Sequence, residues 1–203
     1  NYAEKDLEQN KPWSSKYLLE CYEGGMERIG WKNRKNKPGS VKEGDWLVGY
    51  GMGTGTYGSY RNPTAVKAKF LADGNLVLQC SVNDMGPGTA TMMTAIGAEI
   101  TGVPAENVII EMGKSGLPKG PTQGGSATTS SVGSAVHDSC NLLISKVLWL
   151  ASENPSLKGI PITDLTFSNG VISSKKDTSK KVNLTSLLTA NKLEGIEVEN
   201  QSK

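Results

Sequence analysis

The sequence predicts an α+β fold in which helices pack on a mixed sheet. Three observations carry that expectation. Two strand-like runs, residues 65–70 and 76–82, flank Ala72-Asp73-Gly74-Asn75, and Asp-Gly between such runs is the strongest short-range hairpin signal. Two later segments switch to a helical period, and the predicted elements follow one another as strand, strand, helix, strand, helix.

Taken in order, Ser14-Ser15 stand where they would cap a first helix running to about Trp31, with Tyr17, Leu18, Cys21, Tyr22, Met26 and Ile29 on its apolar side and Gly24-Gly25 weakening it. Residues 32–44 are a charged connector, and Trp46 to Tyr60 is rich in glycine, threonine and tyrosine. After the hairpin comes the turn Asp84-Met85-Gly86-Pro87-Gly88. Beyond it, Thr89, Met92, Met93, Ile96 and Ile100 fall at i, i+3, i+4, i+7 and i+11, and Gly102 stops the helix. Asn107 to Met112 reads as a short buried strand and 113–125 as a loop punctuated by proline and double glycine. The longest helix is expected over 126–152, where Val132, Ala135, Val136, Cys140, Leu143, Ile144, Val147 and Leu150 form one stripe. The remainder reads as strands at 164–168 and 170–173 about Ser168-Asn169-Gly170, a helix near 184–190 and a terminal strand containing Ile196-Glu197-Val198.

Composition narrows the function classes. Hydrophobic residues make up 36% and charged residues 21% of 203, enough to fold, and 22 basic against 20 acidic side chains leave a net charge of +2. That balance creates no field to recruit nucleic acid or anionic lipid, and the clusters at 32–37, 175–176 and 180–181 lack the interleaved aromatics that stack on bases. No apolar run approaches the roughly 20 residues of a membrane span. Cys21, Cys80 and Cys140 are too few and too widely spaced for a disulfide framework or a zinc site, which argues for a reducing, cytoplasmic setting. Glycine, 24 of 203 residues, is the excess that calls for explanation. The chain also opens at Asn1 and closes just after a strand-like stretch, as a piece of something longer would.

Three glycine-bearing segments could carry chemistry. Gly53-Thr54-Gly55-Thr56-Tyr57-Gly58 matches the dinucleotide fingerprint G-x-G-x-x-G, but Pro63 and a strand follow it instead of a helix, so a kinked glycine-rich segment is the better reading. Gln123-Gly124-Gly125-Ser126-Ala127-Thr128-Thr129 opens the longest helix, and a helix start offers unpaired N–H groups and partial positive charge. Ordinary capping needs one hydroxyl, and residues 126–131 supply five. The turn at 84–89 is a second opening of a helix after a strand, and the two turns together could face one extended ligand. His137, the single histidine, is expected to be solvated, Glu99 lies on a helix surface, no G-x-S-x-G nucleophile elbow occurs, and Asn183-Leu184-Thr185 matches a glycosylation site that a cytoplasmic chain does not use.

The run Asp84-Met85-Gly86-Pro87-Gly88-Thr89, then Ala98-Glu99, Gly102-Val103-Pro104-Ala105-Glu106-Asn107-Val108, Gly125-Ser126-Ala127-Thr128-Thr129 and Gly133-Ser134-Ala135-Val136, resembles the molybdenum hydroxylases of the xanthine dehydrogenase and aldehyde oxidase family, specifically the second half of their molybdopterin-binding large subunit. The similarity covers residues 15 to 150. It implies a partial molybdenum-cofactor-binding domain, with 1–44 as a lead-in, 45–155 as the glycine-turn core and 156–203 as peripheral strands and helix. By that resemblance Gly86, Gly88 and Thr89 of the first turn and Gly125, Ser126, Ala127, Thr128 and Thr129 of the second bind a molybdenum-pyranopterin in a dinucleotide form. The family's usual first turn reads G-Q-G and this one has Pro87; an arginine common at the position of Ala127 is absent.

The implied activity inserts a water-derived oxygen into an aldehyde or N-heterocycle, a small-molecule substrate. The catalytic glutamate belongs to a motif that residues 1–203 do not contain, so no catalytic residue and no metal ligand is assigned. The implied partners are the rest of the molybdopterin subunit and iron–sulfur and FAD domains or subunits that carry the [2Fe-2S] clusters and FAD. The alternative is a non-catalytic assembly module homologous to this domain.

Overall fold

A computed structural model describes every residue except 1, 2, 7–9, 56, 59 and 203. It divides into two compact units, Asn1–Thr56 and Tyr57–Lys203, a boundary that falls inside the 45–155 segment drawn from sequence.

In the first unit the helix is α1, Leu18–Arg28. It starts at Leu18, later than a cap at Ser14 or Ser15 would set it: the residue before it is Tyr17, and no side chain caps the end. It also stops before Trp31, which begins a separate single turn after Gly30 adopts φ +66°. Two-residue strands β1 (Lys42–Glu43) and β2 (Trp46–Leu47) close a small hairpin over Gly44.

The second unit begins with β3, Thr64–Leu71, whose residues alternate strictly between buried and half-buried. Val66, Ala68 and Phe70 face inward, while Lys67 and Lys69 lie on the other face beside Glu197 and Glu199. The predicted Asp-Gly turn connects β3 to β4, Leu76–Cys80, with Gly74 at φ +94° and the Asp73 carboxylate accepting the Asn75 N–H at 3.0 Å. β4 ends two residues before the expected Val82 because the chain's donors are diverted: the Ser81 N–H goes to the Pro118 carbonyl at 2.8 Å. Helix α2, Thr89–Thr101, then returns across the sheet and ends at Gly102 in the left-handed region. Strand β5, Val108–Met112, pairs parallel to β4.

Helix α3 spans Thr128–Ser152, two residues shorter at its start than predicted, since Gly125 and Ser126 both take positive φ, +61° and +57°. Its buried Ser139 hydroxyl donates to the Val66 carbonyl at 2.9 Å, seating the helix along β3. Strands β6 (Leu165–Ser168) and β7 (Val171–Ser174) turn through Asn169 and Gly170, both at positive φ, and join β8 (Lys181–Asn183) in a three-stranded antiparallel sheet. Helix α4, Leu184–Ala190, buries Leu184, Leu187 and Leu188. Strand β9, Gly195–Ser202, completes the main sheet against β3, giving the order β5-β4-β3-β9. The mixed sheet and packed helices are the α+β arrangement read from the sequence.

Candidate functional site: two glycine turns at one end of the sheet

Strand direction decides where the two predicted turns lie. α3 advances with β3, because the Asn62 N–H donates to the Ser131 hydroxyl at 2.9 Å and Ser139 meets Val66 further along. α2 runs back along β4, and β4 is antiparallel to β3, so α2 also advances with β3. The two helices are therefore parallel neighbours whose N-termini share the end of the sheet where β4 and β5 finish. They touch at Gly133, where a Cβ would lie 3.0 Å from Ile96 Cδ1. Open sheets with crossover helices commonly bind ligands at this carboxyl end of their parallel strands.

The turns themselves are tied together: the Gln123 side-chain amide donates to the Asn83 carbonyl, linking the residue before each turn. The loop between β5 and α3 is further anchored by the Gly113 N–H on the Val82 carbonyl, 2.8 Å, and the Gly120 N–H on the Ser81 hydroxyl, 2.9 Å. The expected pairing of the two turns is thus present, with Gly86, Gly88 and Thr89 on one and Gly125, Ser126, Ala127, Thr128 and Thr129 on the other.

Their donor groups differ. In the second turn the hydroxyls of Ser126, Thr128 and Thr129 and the N–H groups of Thr128 and Thr129 have no protein partner among the described residues, and no side chain caps α3. Gly125 and Ser126 are exposed, whereas Ala127 is 1% exposed and offers only its backbone. Gly125 also lies under Tyr60: a Cβ there would come 3.0 Å from the ring, and the Tyr60 carbonyl accepts the Ser130 hydroxyl. In the first turn the donors are already engaged. Asp84 Oδ1 accepts the Gly86 N–H at 2.9 Å and the Gly88 N–H at 3.2 Å, with Gly86 and Gly88 at φ +115° and +87°. The Gly86 N–H first, then those of Gly88, Ala90 and Thr89, hold the Asp84 carboxyl below the usual carboxylate range. Thr89 is 4% exposed and turned into the protein.

Asp84 closes the first turn on itself, a role that its place in the sequence does not announce by residue type alone. The signal was present, since an aspartate two and four residues before glycines suits a side chain that bonds its own turn. Tyr60 and the Asn83–Gln123 tether had no sequence signal. Arg61, between Tyr60 and Asn62, is exposed and has no salt bridge among the described residues; it lines a shallow groove of about 480 Å³ with Gly133, Ser134, His137 and Asp138. His137 is exposed, as expected, with Nδ1 3.0 Å from Asp138 Oδ1. The G-x-G-x-x-G segment leads to β3 with no helix after it, which removes the dinucleotide reading; Thr56 and Ser59 lie outside the described residues. Among the described residues no cluster of three or more His, Cys, Asp or Glu could hold a metal ion, and no helix is long and apolar enough to cross a membrane.

The family model described as "Molybdopterin cofactor-binding domain" matches residues 24–203. The chain belongs to that family. The molybdenum-binding subunit PaoC of an Escherichia coli K12 aldehyde oxidoreductase is 30% identical over 128 residues, covering 63% of this chain and 18% of the relative. Aldehyde oxidase 3 of Rattus norvegicus is 22% identical over 147 residues, 68% of this chain and 11% of the relative. This chain of the molybdopterin-binding family therefore spans less than a fifth of the relatives it matches. Among solved structures, the reconstituted CO dehydrogenase of Oligotropha carboxidovorans superposes with a TM-score of 0.59 at 21% identity, covering 70% of this chain and 18% of that one. A copper- and molybdenum-containing CO dehydrogenase gives 0.65 at 16% identity, covering 95% and 27%. These likenesses establish the shared fold.

For a large anionic organic cofactor the second turn is a fit: bulk-free glycine, free hydroxyls and an uncapped helix N-terminus form a donor set without a protein acceptor. The first turn is a fit in shape only, because its N–H groups already bond Asp84.

Proposed function

We propose that the chain is the cofactor-binding portion of a molybdenum hydroxylase of the xanthine dehydrogenase and aldehyde oxidase type, acting on an aldehyde or N-heterocycle with water as the oxygen source. The observation that carries this reading is a donor set without a protein partner among the described residues, the hydroxyls of Ser126, Thr128 and Thr129 and the N–H groups of Thr128 and Thr129, held beside a second glycine turn by the Gln123–Asn83 bond. The name of the E. coli relative, an aldehyde oxidoreductase subunit, supports an aldehyde.

When bound, the molybdenum-pyranopterin supplies the redox chemistry that removes two electrons from an activated C–H carbon. The chain's own residues bind and orient. The Thr128 and Thr129 N–H groups and the Ser126, Thr128 and Thr129 hydroxyls would donate to its anionic oxygens, while Gly125, packed under the Tyr60 ring, and Ala127, buried with its N–H on the Gly124 carbonyl at 3.2 Å, would shape the turn that presents them. Gly86 and Gly88 would offer backbone without side chains to its other end, with the buried Thr89 behind them opening α2. In this proposal residues 45–155 are the cofactor-binding core, the cofactor is a dinucleotide form, and no catalytic residue or metal ligand lies in the chain. In the same proposal the parent protein is cytoplasmic, and the electrons would leave through [2Fe-2S] clusters and FAD held by other domains or subunits.

The test is cofactor content. Purified parent protein should carry molybdenum and pterin; a folded, fully assembled parent free of both overturns the reading. Each hydrogen bond to a charged group is worth about 1.5–3 kcal/mol. The double variant Ser126→Ala, Thr128→Ala should therefore lower molybdenum occupancy at limiting cofactor, and unchanged occupancy removes the role of this turn. A second reading, a non-catalytic assembly module, draws on the occupied first turn and Pro87, and the molybdenum-free parent is its outcome.

A further inference from the structure

Asp84 occupies the place that an anion would take at the head of α2. The positive φ values of Gly86 and Gly88 aim their N–H groups at one point, and the Asp84 carboxylate is at that point, 2.9 and 3.2 Å from the two nitrogens. Pro87 between them brings no N–H. A second anion arriving here would meet a full negative charge and find its donors taken. At the head of α3, a parallel neighbour, no acidic side chain plays this part among the described residues: the hydroxyls of Ser126, Thr128 and Thr129 and the N–H groups of Thr128 and Thr129 have no protein partner there, while the Ala127 N–H donates to the Gly124 carbonyl at 3.2 Å. The two turns are thus alike in backbone and opposite in electrostatic character, and the Gln123–Asn83 bond keeps them adjacent.

We propose that Asp84 is a specificity-determining residue that sets the direction in which the cofactor lies across the two turns, sending its phosphate-bearing end to Ser126–Thr129 and reserving the Gly86–Gly88 turn for an uncharged part. This rests on the reading of the two turns as the cofactor cradle. Exclusion is the operative effect: Asp84 touches no ligand, and it acts by holding the first turn's donors and by repelling a second anion.

The experiment uses the ¹⁵N-labelled full chain with inorganic pyrophosphate as the probe and backbone amide shifts as the readout, so that it does not depend on activity. In the wild type, the amides of Ser126, Thr128 and Thr129 should move on titration while those of Gly86 and Gly88 stay still. In Asp84→Ala, Gly86 and Gly88 should also move, with apparent affinity at the first turn at least tenfold above that of the wild type. Asp84→Asn keeps an acceptor for the two N–H groups and loses the charge; it should show a smaller gain, and it carries the comparison should the alanine variant not fold. Movement of Gly86 and Gly88 together with Thr128 in the wild type, or a first turn that stays silent in both variants, overturns the role of Asp84. A wild type silent at both turns overturns the cradle reading itself, and the direction with it.

Discussion

Residues 1–56 and 57–203 draw on the same kinds of apolar side chain and put them to different uses. Among the described residues of the first unit none is buried: Trp13, Tyr17, Leu19, Trp46, Leu47, Tyr50 and Met52 are all exposed, Trp46 by 77%. In the second unit Phe70, Leu76, Leu78, Met93 and Leu143 are fully enclosed. The difference is architectural. The second unit has a sheet whose alternate residues all face two helices, so that each side chain is covered from across the layer. The first has one eleven-residue helix with Gly24-Gly25 near its middle and a hairpin of two-residue strands, and neither buries a side chain. Hydrophobic content does not make a core unless a second element presents a matching face.

The sharpest way to break this comparison is to truncate one side chain in each unit. Leu78→Ala should cost about 2–5 kcal/mol in urea unfolding, the range for large-to-small changes in cores. Trp46→Ala should stay within about 0.5 kcal/mol, as exposed positions do. Equal losses would mean that the first unit has an interior after all.

Thiol chemistry separates the units on a second scale. Burial pushes the Cys80 thiol up to about 11 and the Cys140 thiol up to about 12, and both are enclosed, while Cys21 is exposed in the first unit. Since the thiolate is the reactive form, a disulfide reagent at pH 8 should titrate one thiol at once and the other two only as the second unit opens. Three thiols reacting in a single phase would contradict this.

The smallest effect concerns Asp84 and its pH dependence. Its carboxyl in the folded chain is held below the ordinary value of about 3.9. The stabilisation is therefore fully present above that value and is lost as pH falls through the lowered one. Asp84→Asn should melt at a lower temperature than the wild type at pH 7, and the gap should close under stronger acid. A gap that persists unchanged at pH 2 would mean that the charge plays no part.

Much of the second unit was legible in advance because the signals are local. Asp73-Gly74 marks a hairpin, the stripes at 89–100 and along 132–150 mark helices, and Asn169-Gly170 marks a turn whose two residues both take positive φ. The first helix was misplaced at its start for a related reason. Ser14-Ser15 look like caps, yet a cap acts only when the next residues are helical, and the helix begins at Leu18. In the candidate site the two turns were legible as glycine segments before helices. What their donors do was not: the first turn's N–H groups bond Asp84 and the second turn's do not, a contrast set by where each loop leads its side chains.

Residue order by itself determined the elements and the family likeness, since periodicity, glycine placement and turn chemistry operate over a few neighbouring residues. Only the tertiary structure decided that β9 pairs with β3, where Ser202 stands opposite Thr64, and that α3 lies along β3 in the same direction, so that α2 and α3 start at the same end of the sheet. Strand order depends on contacts between residues far apart in the chain, whose closure is favourable only when the whole layer forms together. The pairing of two glycine turns into one candidate site follows from that cooperative step, which no short stretch of sequence encodes.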